Sequence, residues 1–340
     1  MQIRTVPELE TFLAEPSDLL IDDLRRLDGD ILLLGAGGKM GPSLALLARN
    51  ALDAAGKSAN VIAVSRFSDQ AAERRLQDAG IETVRADLMD DAQLRGLPDA
   101  ANVLYMAAMK FGTRGQEHRT WAMNAYLPGR VGERYRDARI VAFSSGNVYP
   151  LTPLASTGPT EDDPVGPVGE YAQSVLGRER MFAYASERFG TKVALLRLNY
   201  AIDLRYGVLL DLATAVRDGE PIDLSMGHVN VVWQGYANEV ALRSFSLCSA
   251  PPTVLNLTGP EIVSVRRLAA RLGERLGRAP VFAGEEQSTA LLNDASRCHA
   301  RFGYPSVPLN RMIDLVADWV AQGGEVHGKP TKFQVRSGEF

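Results

Sequence analysis

A glycine-dense turn, Gly35-Ala36-Gly37-Gly38-Lys39-Met40-Gly41, follows the apolar run Ile31-Leu32-Leu33-Leu34 and precedes a segment of helical period from Pro42 to Ala55. In that order the three pieces build an anion site. Glycines let the backbone approach a diphosphate, and the unpaired N–H groups and dipole of the following helix face its charge. Gly35, Gly38 and Gly41 recur every three residues, whereas a GxGxxG spacing from Gly35 would need glycine where Met40 stands. Dinucleotide contacts are therefore expected from Gly35, Gly37, Gly38, Lys39, Met40 and Gly41. The next apolar run, Val61–Val64, ends in Ser65-Arg66, with no acid before Asp69. A carboxylate there would hold a ribose 2′-hydroxyl, and a guanidinium suits a 2′-phosphate. Ser65 and Arg66 thus favour NADP over NAD, with Lys39 adding charge nearby. The alternative is that Arg66 stacks on the adenine of either dinucleotide. The four histidines and the two cysteines, Cys248 and Cys298, show no metal-ligand spacing, so no metal is expected.

Such a turn needs a sheet to hold it. Short apolar runs at Ile31–Leu34, Val61–Val64, Ile81–Val84, Val103–Met106, Ile140–Phe143 and Val193–Leu198 alternate with helical periods at Met40–Ala55, Asp69–Ala79, Gln116–Arg136 and Tyr171–Phe189. That alternation predicts an α/β fold, a Rossmann-type doubly wound parallel sheet. After residue 200 the rhythm loosens into helices at Leu209–Asp218, Tyr236–Cys248, Val265–Leu276 and Met312–Val320, and strands at Val229–Trp233 and Val254–Leu257. The expected organisation is a helical extension over 1–28, with Ser17 and Asp18 capping a short helix, and a dinucleotide-binding domain over 29–200. A smaller C-terminal α/β substrate lobe over 201–322 follows, with some segments returning to the sheet, and then a polar tail over 323–340. The chain has 340 residues, 46% of them apolar and 23% charged, which is ordinary globular composition. A formal charge of −4 argues against a basic nucleic-acid binder. No apolar run approaches the ~20 residues of a membrane span, and the first residues carry no basic-then-apolar signal pattern. A cytoplasmic protein with neither nucleic-acid nor membrane partner is expected.

Further segments, in order, resemble the extended short-chain dehydrogenase/reductase family, the NAD-dependent epimerase/dehydratase group, from about residue 30 to 320. They are Ala86-Asp87-Leu88, Tyr105-Met106-Ala107-Ala108, Asn124 in Trp121-Ala122-Met123-Asn124, Ser144-Ser145-Gly146-Asn147-Val148-Tyr149, Thr160-Glu161-Asp162-Asp163-Pro164, Leu196-Arg197-Leu198-Asn199 and Leu255-Asn256-Leu257-Thr258-Gly259. The resemblance implies that Asp87, Leu88, Ala107, Ala108, Asn124, Tyr171 and Asn199 also meet the cofactor. It implies hydride transfer in which Tyr171 exchanges the substrate proton and Ser145 polarises the same oxygen. The family's lysine, four residues after the tyrosine, is here Val175. Free tyrosine ionises near pH ~10, so either Lys110 or Arg178 supplies the cation, or Tyr171 works as a neutral acid, or the site binds without catalysis.

The resemblance also bears on the substrate. Ser145-Gly146-Asn147 lacks the carboxylates of the family's dehydratases, which disfavours elimination. His228 and Asn230 stand where sugar-nucleotide enzymes bring an arginine, which disfavours a nucleotide-linked sugar over a polyol, sugar or sugar acid. Lys110, Gly146, Asn147, Asn199, Arg205, His228 and Trp233 are the expected substrate wall, with pairing of Arg205 to Asp203 or Asp211, and core packing of Trp233, as the alternatives. Met123, Tyr126, Met181 and Tyr184 would form the face of a homodimer, or belong to the core. Two functions follow: an NAD(P)-dependent oxidoreductase or epimerase acting on a carbohydrate-like secondary alcohol, or a dinucleotide-binding regulator.

Overall fold

A computed structural model describes residues 2–112 and 114–339. Its core is one parallel sheet of seven strands: β1 (Ile31–Leu34), β2 (Val61–Ser65), β3 (Glu82–Arg85), β4 (Asn102–Tyr105), β5 (Arg139–Ser145), β6 (Lys192–Leu198) and β7 (Thr253–Leu257). Their order across the sheet is β7-β6-β5-β4-β1-β2-β3. The direction of progression reverses between β1 and β4, and ligands of such sheets bind at that crevice, beyond the carboxyl ends of the strands.

Both faces are covered, so the strands read as continuous apolar runs rather than alternating ones. Ile31 and Leu33 pack with α2 (Asp18–Arg25), α3 (Gly41–Ala54) and a helix over Gln234–Arg243. Leu32 and Leu34 face the other way, onto Leu127, Val131 and Phe182. The N-terminal residues straddle two cores. Helix α1 (Val6–Leu13) gives Leu9 and Leu13 to the C-terminal lobe, and α2 gives Leu20 and Leu24 to the sheet. Ser17 caps α2 by accepting from Leu20 N at 3.1 Å.

Three departures from the sequence pattern bear on the site. The helical period over 116–136 is broken by a π turn at Ala122–Tyr126, ahead of Pro128. The run Val229–Trp233 is not one strand. His228–Val229 pairs antiparallel with Val263–Ser264, and Val232–Trp233 pairs parallel with Ala201–Ile202, while Asn230 between them bonds across to Glu261 O. The segment after Gly323 packs on the body: Phe333 and Thr331 are buried, and Arg336 donates to Ser225 O and Thr289 O.

The helix Gly169–Phe189 crosses behind β5 and β6. A buried pair fixes it: Arg197 on β6 donates to both oxygens of Glu179 at 3.0 and 2.8 Å, and Ser144 on β5 donates to Glu179 at 2.5 Å. Their side chains are 7% and 4% exposed, so solvent cannot replace either partner. Among the described residues no helix is long and apolar enough to cross a membrane.

Glu179→Gln leaves the Arg197 charge buried and uncompensated. Urea unfolding is expected to show a loss of about 3–5 kcal/mol, against less than about 1 kcal/mol for Arg25→Ala at the exposed pair with Asp22.

Candidate active site

The turn after β1 is held open by its glycines. Gly35 sits at φ +96, and a Cβ there would lie 2.7 Å from Ala107 N. A Cβ on Gly37 would meet Ser65 Oγ at 2.3 Å. Only bare backbone fits, so the turn runs flush against the ends of β2 and β4. No side chain caps the helix that begins at Gly41, which leaves its first N–H groups for an anion. This arrangement fits the diphosphate of a dinucleotide.

At the adenine end, Arg66 is exposed and makes no ion pair among the described residues. Asp69 spends its carboxylate on Ala71 N and Ala72 N as a helix cap. Asp87 accepts from Met89 N within its own loop, and Leu88 is buried. Lys39 does not join Arg66. Its ammonium lies 3.1 Å from the centroid of the Tyr206 ring, inside the cleft. The expectation that Lys39 adds charge beside the 2′-phosphate is therefore corrected: the apolar faces of Tyr206 and Phe111 draw its stem the other way.

A cavity of about 280 Å³ connects the turn with the end of β5. Gly35, Gly38, Lys39, Met40 and Ala108 line one side, and Lys110, Ser145, Asn147, Tyr171 and Asn199 the other. The Tyr171 hydroxyl shares a hydrogen bond with Ser145. Ser145 in turn donates to Asn147 Oδ1 at 2.9 Å and accepts from Asn147 N at 3.2 Å. Gly146 is buried against the side chain of Asn293, where a Cβ would meet Oδ1 at 2.4 Å.

Val175 is fully buried in a cluster with Val148, Tyr149 and Tyr171, onto which Phe111 and Val335 pack. An ammonium group there would be surrounded by hydrocarbon. A positive charge lies about one turn further along the same helix. Arg178, 2% exposed, donates to Phe143 O at 2.6 Å and to Asn124 Oδ1 at 3.1 Å. It makes no ion pair among the described residues, so its charge is not cancelled locally. Burial pushes the Tyr171 phenol above its ordinary value, and the charge of Arg178 and the bond to Ser145 oppose that rise. Asn124 lies in the π turn, where it also accepts from Met109 N at 2.8 Å and donates to Met109 O and Ser174 Oγ at 2.9 and 3.0 Å. Lys110 faces the Tyr171 ring at 5.8 Å, and burial holds its ammonium down to about 8.

Three expected wall residues lie elsewhere. Arg205 is held by Asp203 and by Glu10 of α1, at 3.2 and 3.1 Å. Trp233 is buried against Phe12 of α1, their rings 5.7 Å apart. His228 sits opposite Ser264 in a two-stranded pair away from the cavity. Glu10 and Phe12, both from the N-terminal helix, hold Arg205 and Trp233 in place. The sequence reading missed Tyr200, Tyr206 and Thr331, which line the cavity. It also missed Asp211, which accepts from Thr331 N at 2.8 Å and Oγ1 at 2.6 Å.

A family model described as the NAD dependent epimerase/dehydratase family matches residues 31–202. Among curated proteins, none matches the sequence. Among solved structures, the chain is similar to MoeE5 in complex with UDP-glucose and NAD, at 22% identity and a TM-score of 0.68. It is also similar to UDP-glucose 4-epimerase from Thermotoga maritima with UDP-glucose, at 16% and 0.71. A third is UDP-glucuronic acid 4-epimerase from Bacillus cereus with UDP-glucuronic acid and NAD, at 16% and 0.71. Each match covers 86% of this chain and 99% of the other.

Thr331→Val removes the hydroxyl donor from the largely buried Asp211 carboxylate and leaves the backbone N–H in place. Thermal or urea unfolding is expected to show a loss of about 1–3 kcal/mol, an effect that a solvated, unattached tail would not give.

Proposed function

The chain belongs to the NAD dependent epimerase/dehydratase family, and from that premise we propose that it is an oxidoreductase or epimerase acting at a secondary alcohol of a carbohydrate-like small molecule. One observation carries the reading. Ser145 and Tyr171 are hydrogen-bonded in a cavity whose facing wall is the glycine turn. A bound nicotinamide dinucleotide supplies or accepts the hydride. In the reducing direction Ser145 donates to the substrate carbonyl oxygen while Tyr171 delivers its proton to that oxygen, and the phenolate left behind is stabilised by Arg178. In the oxidising direction the phenolate must form first, so Tyr171 is the acid of a site biased toward reduction.

Exposed Arg66, with Asp69 diverted to its helix cap, supports NADP as the cofactor. The solved structures of similar fold hold UDP-glucose or UDP-glucuronic acid, and a sugar-sized hydroxy compound is the substrate class proposed here. Asn147 and Asn199, which line the cavity, are its proposed neutral contacts, and Lys110, also in the lining, a proposed cationic one. The exposed Tyr126 and Tyr184, with Trp121 beside them in chain order, support a homodimer across these helices.

The test is turnover followed by the absorbance of the reduced nicotinamide across a panel of polyols, sugars and sugar acids. Tyr171→Phe is expected to lower it by on the order of 10²–10⁴-fold with cofactor affinity unchanged. Turnover that survives the substitution contradicts the proposal, and tight cofactor binding with silence across the panel favours a regulator. Because the Tyr171 value is raised, the oxidation rate is expected to climb with pH without levelling before the ordinary tyrosine range near ~10. A plateau at neutral pH would contradict a protonated Tyr171. Arg66→Glu is expected to weaken NADPH by about tenfold or more and NADH far less, measured by fluorescence titration.

A further inference from the structure

Beside the cavity that holds Tyr171 lies a second one, of about 320 Å³. The helix Val208–Asp218 and the short strand Pro221–Asp223 form one side of it, and Pro330, Phe333 and Gln334 of the C-terminal segment the other. The wall between the two cavities is one residue pair thick. Thr331 lines the first cavity and Asp211 the second. Thr331 N and Oγ1 donate to the same oxygen of Asp211, at 2.8 and 2.6 Å. Another bond crosses the wall: the Tyr200 hydroxyl, in the first cavity, donates to the carbonyl of Phe333, in the second, at 3.4 Å. The segment that supplies this wall is anchored on both sides of Thr331. His327 N donates to Arg205 O at 3.1 Å, and Arg336 donates to Thr289 O at 2.7 Å and Thr289 Oγ1 at 2.6 Å. Between these anchors Thr331 and Phe333 are buried. Lys332, which separates them, stands at φ +54, in the left-handed region that side chains rarely adopt. Its buried neighbours hold it there, with Thr331 on one cavity and Phe333 on the other.

The wall sets a length. Sites for drug-sized ligands measure ~300–1,000 Å³. The first cavity, at about 280 Å³, has also to admit the nicotinamide ring, which leaves room for little beyond a sugar-sized molecule. Joined to the second, it would fall well inside that range. We propose that Thr331 and Asp211 are a specificity-determining pair: they end the substrate cavity, so that it takes a free sugar, polyol or sugar acid and excludes the same sugar linked to a nucleoside diphosphate. This rests on the oxidoreductase reading and narrows the length of its substrate.

The experiment is isothermal titration of the full chain, saturated with NADPH, with glucose, UDP-glucose, glucuronate and UDP-glucuronate. At least one free sugar is expected to bind about tenfold or more tightly than its UDP-linked form, the scale on which a shaped pocket rejects a misfitting group. Thr331→Val keeps the bulk of the wall and should keep that ratio. Thr331→Gly combined with Asp211→Ala takes both side chains out of the wall and should lower the ratio by about tenfold or more. Thr331→Gly alone, the milder change, should lower it in the same direction and decides the matter where the pair does not fold. A UDP-linked form bound as tightly as its free sugar by the unsubstituted chain, a ratio that Thr331→Gly leaves unchanged, or no binding of any of the four overturns the proposal. Turnover of NADP with the same four compounds separates it from the oxidoreductase reading. Free sugars that bind selectively but are not turned over remove that reading and leave the wall standing. Turnover of both forms alike keeps the reading and overturns the wall.

Discussion

Arg178 is the constraint around which the site is arranged. It is a buried guanidinium held by a backbone carbonyl and an asparagine oxygen, with no carboxylate paired to it among the described residues. A cation in that state is costly unless its hydrogen bonds are well made. The two acceptors come from different elements: Phe143 lies on β5, and Asn124 lies in a π turn that places its amide between Met109, Ser174 and Arg178. The same helix carries Tyr171 and Arg178 two turns apart, so fixing the guanidinium fixes the phenol. Glu179, the next residue, turns away to Arg197 and Ser144 and leaves the charge of Arg178 for the cavity.

This arrangement accounts for valine at position 175. The surface of the helix one turn beyond Tyr171 faces Val148, Tyr149 and Val335, and a methyl-bearing side chain fills it. A buried cation stands further along the same helix, at Arg178, held by Phe143 O on the sheet and by Asn124 Oδ1. The consequence is chemical. A phenol in an apolar cluster, opposed by one cation at greater range, keeps its proton. Such a group acts as an acid and hydrogen-bond donor, where a phenolate would act as a base.

The C-terminal segment completes the wall. Thr331 reaches the cavity and ties down Asp211, Val335 packs on the cluster around Tyr171, and Gly338 lies backbone to backbone on Gly169 at the start of the helix that carries Tyr171. Polar composition and glycines made this segment read as a tail. Its role is carried by single contacts across more than a hundred residues of chain, which leave no periodic mark. The glycine turn was legible for the opposite reason: strand, turn and helix are contiguous, and glycine is demanded by the close approach at Gly35 and Gly37. The six strands before residue 200 were legible because burial on both faces makes them short apolar runs. Val229–Trp233 looked the same but is split at Asn230, whose side chain bonds to the Glu261 carbonyl. Arg205 and Trp233 looked like wall residues because their partners, Glu10 and Phe12, come from the N-terminal helix. Arg178 was in view as a cation two turns from the tyrosine, but the sequence held no sign that Phe143 and Asn124 would pin it.

The most direct measurement is the ionisation of Tyr171 itself, followed by the ¹³C shift of its ring carbon bearing oxygen, in protein labelled at that carbon and assigned with Tyr171→Phe. The account predicts a phenol that stays protonated through neutral pH and titrates above the ordinary tyrosine value near ~10, moving higher still in Arg178→Gln. A Tyr171 phenolate at neutral pH, or a titration that does not respond to the loss of Arg178, would contradict it.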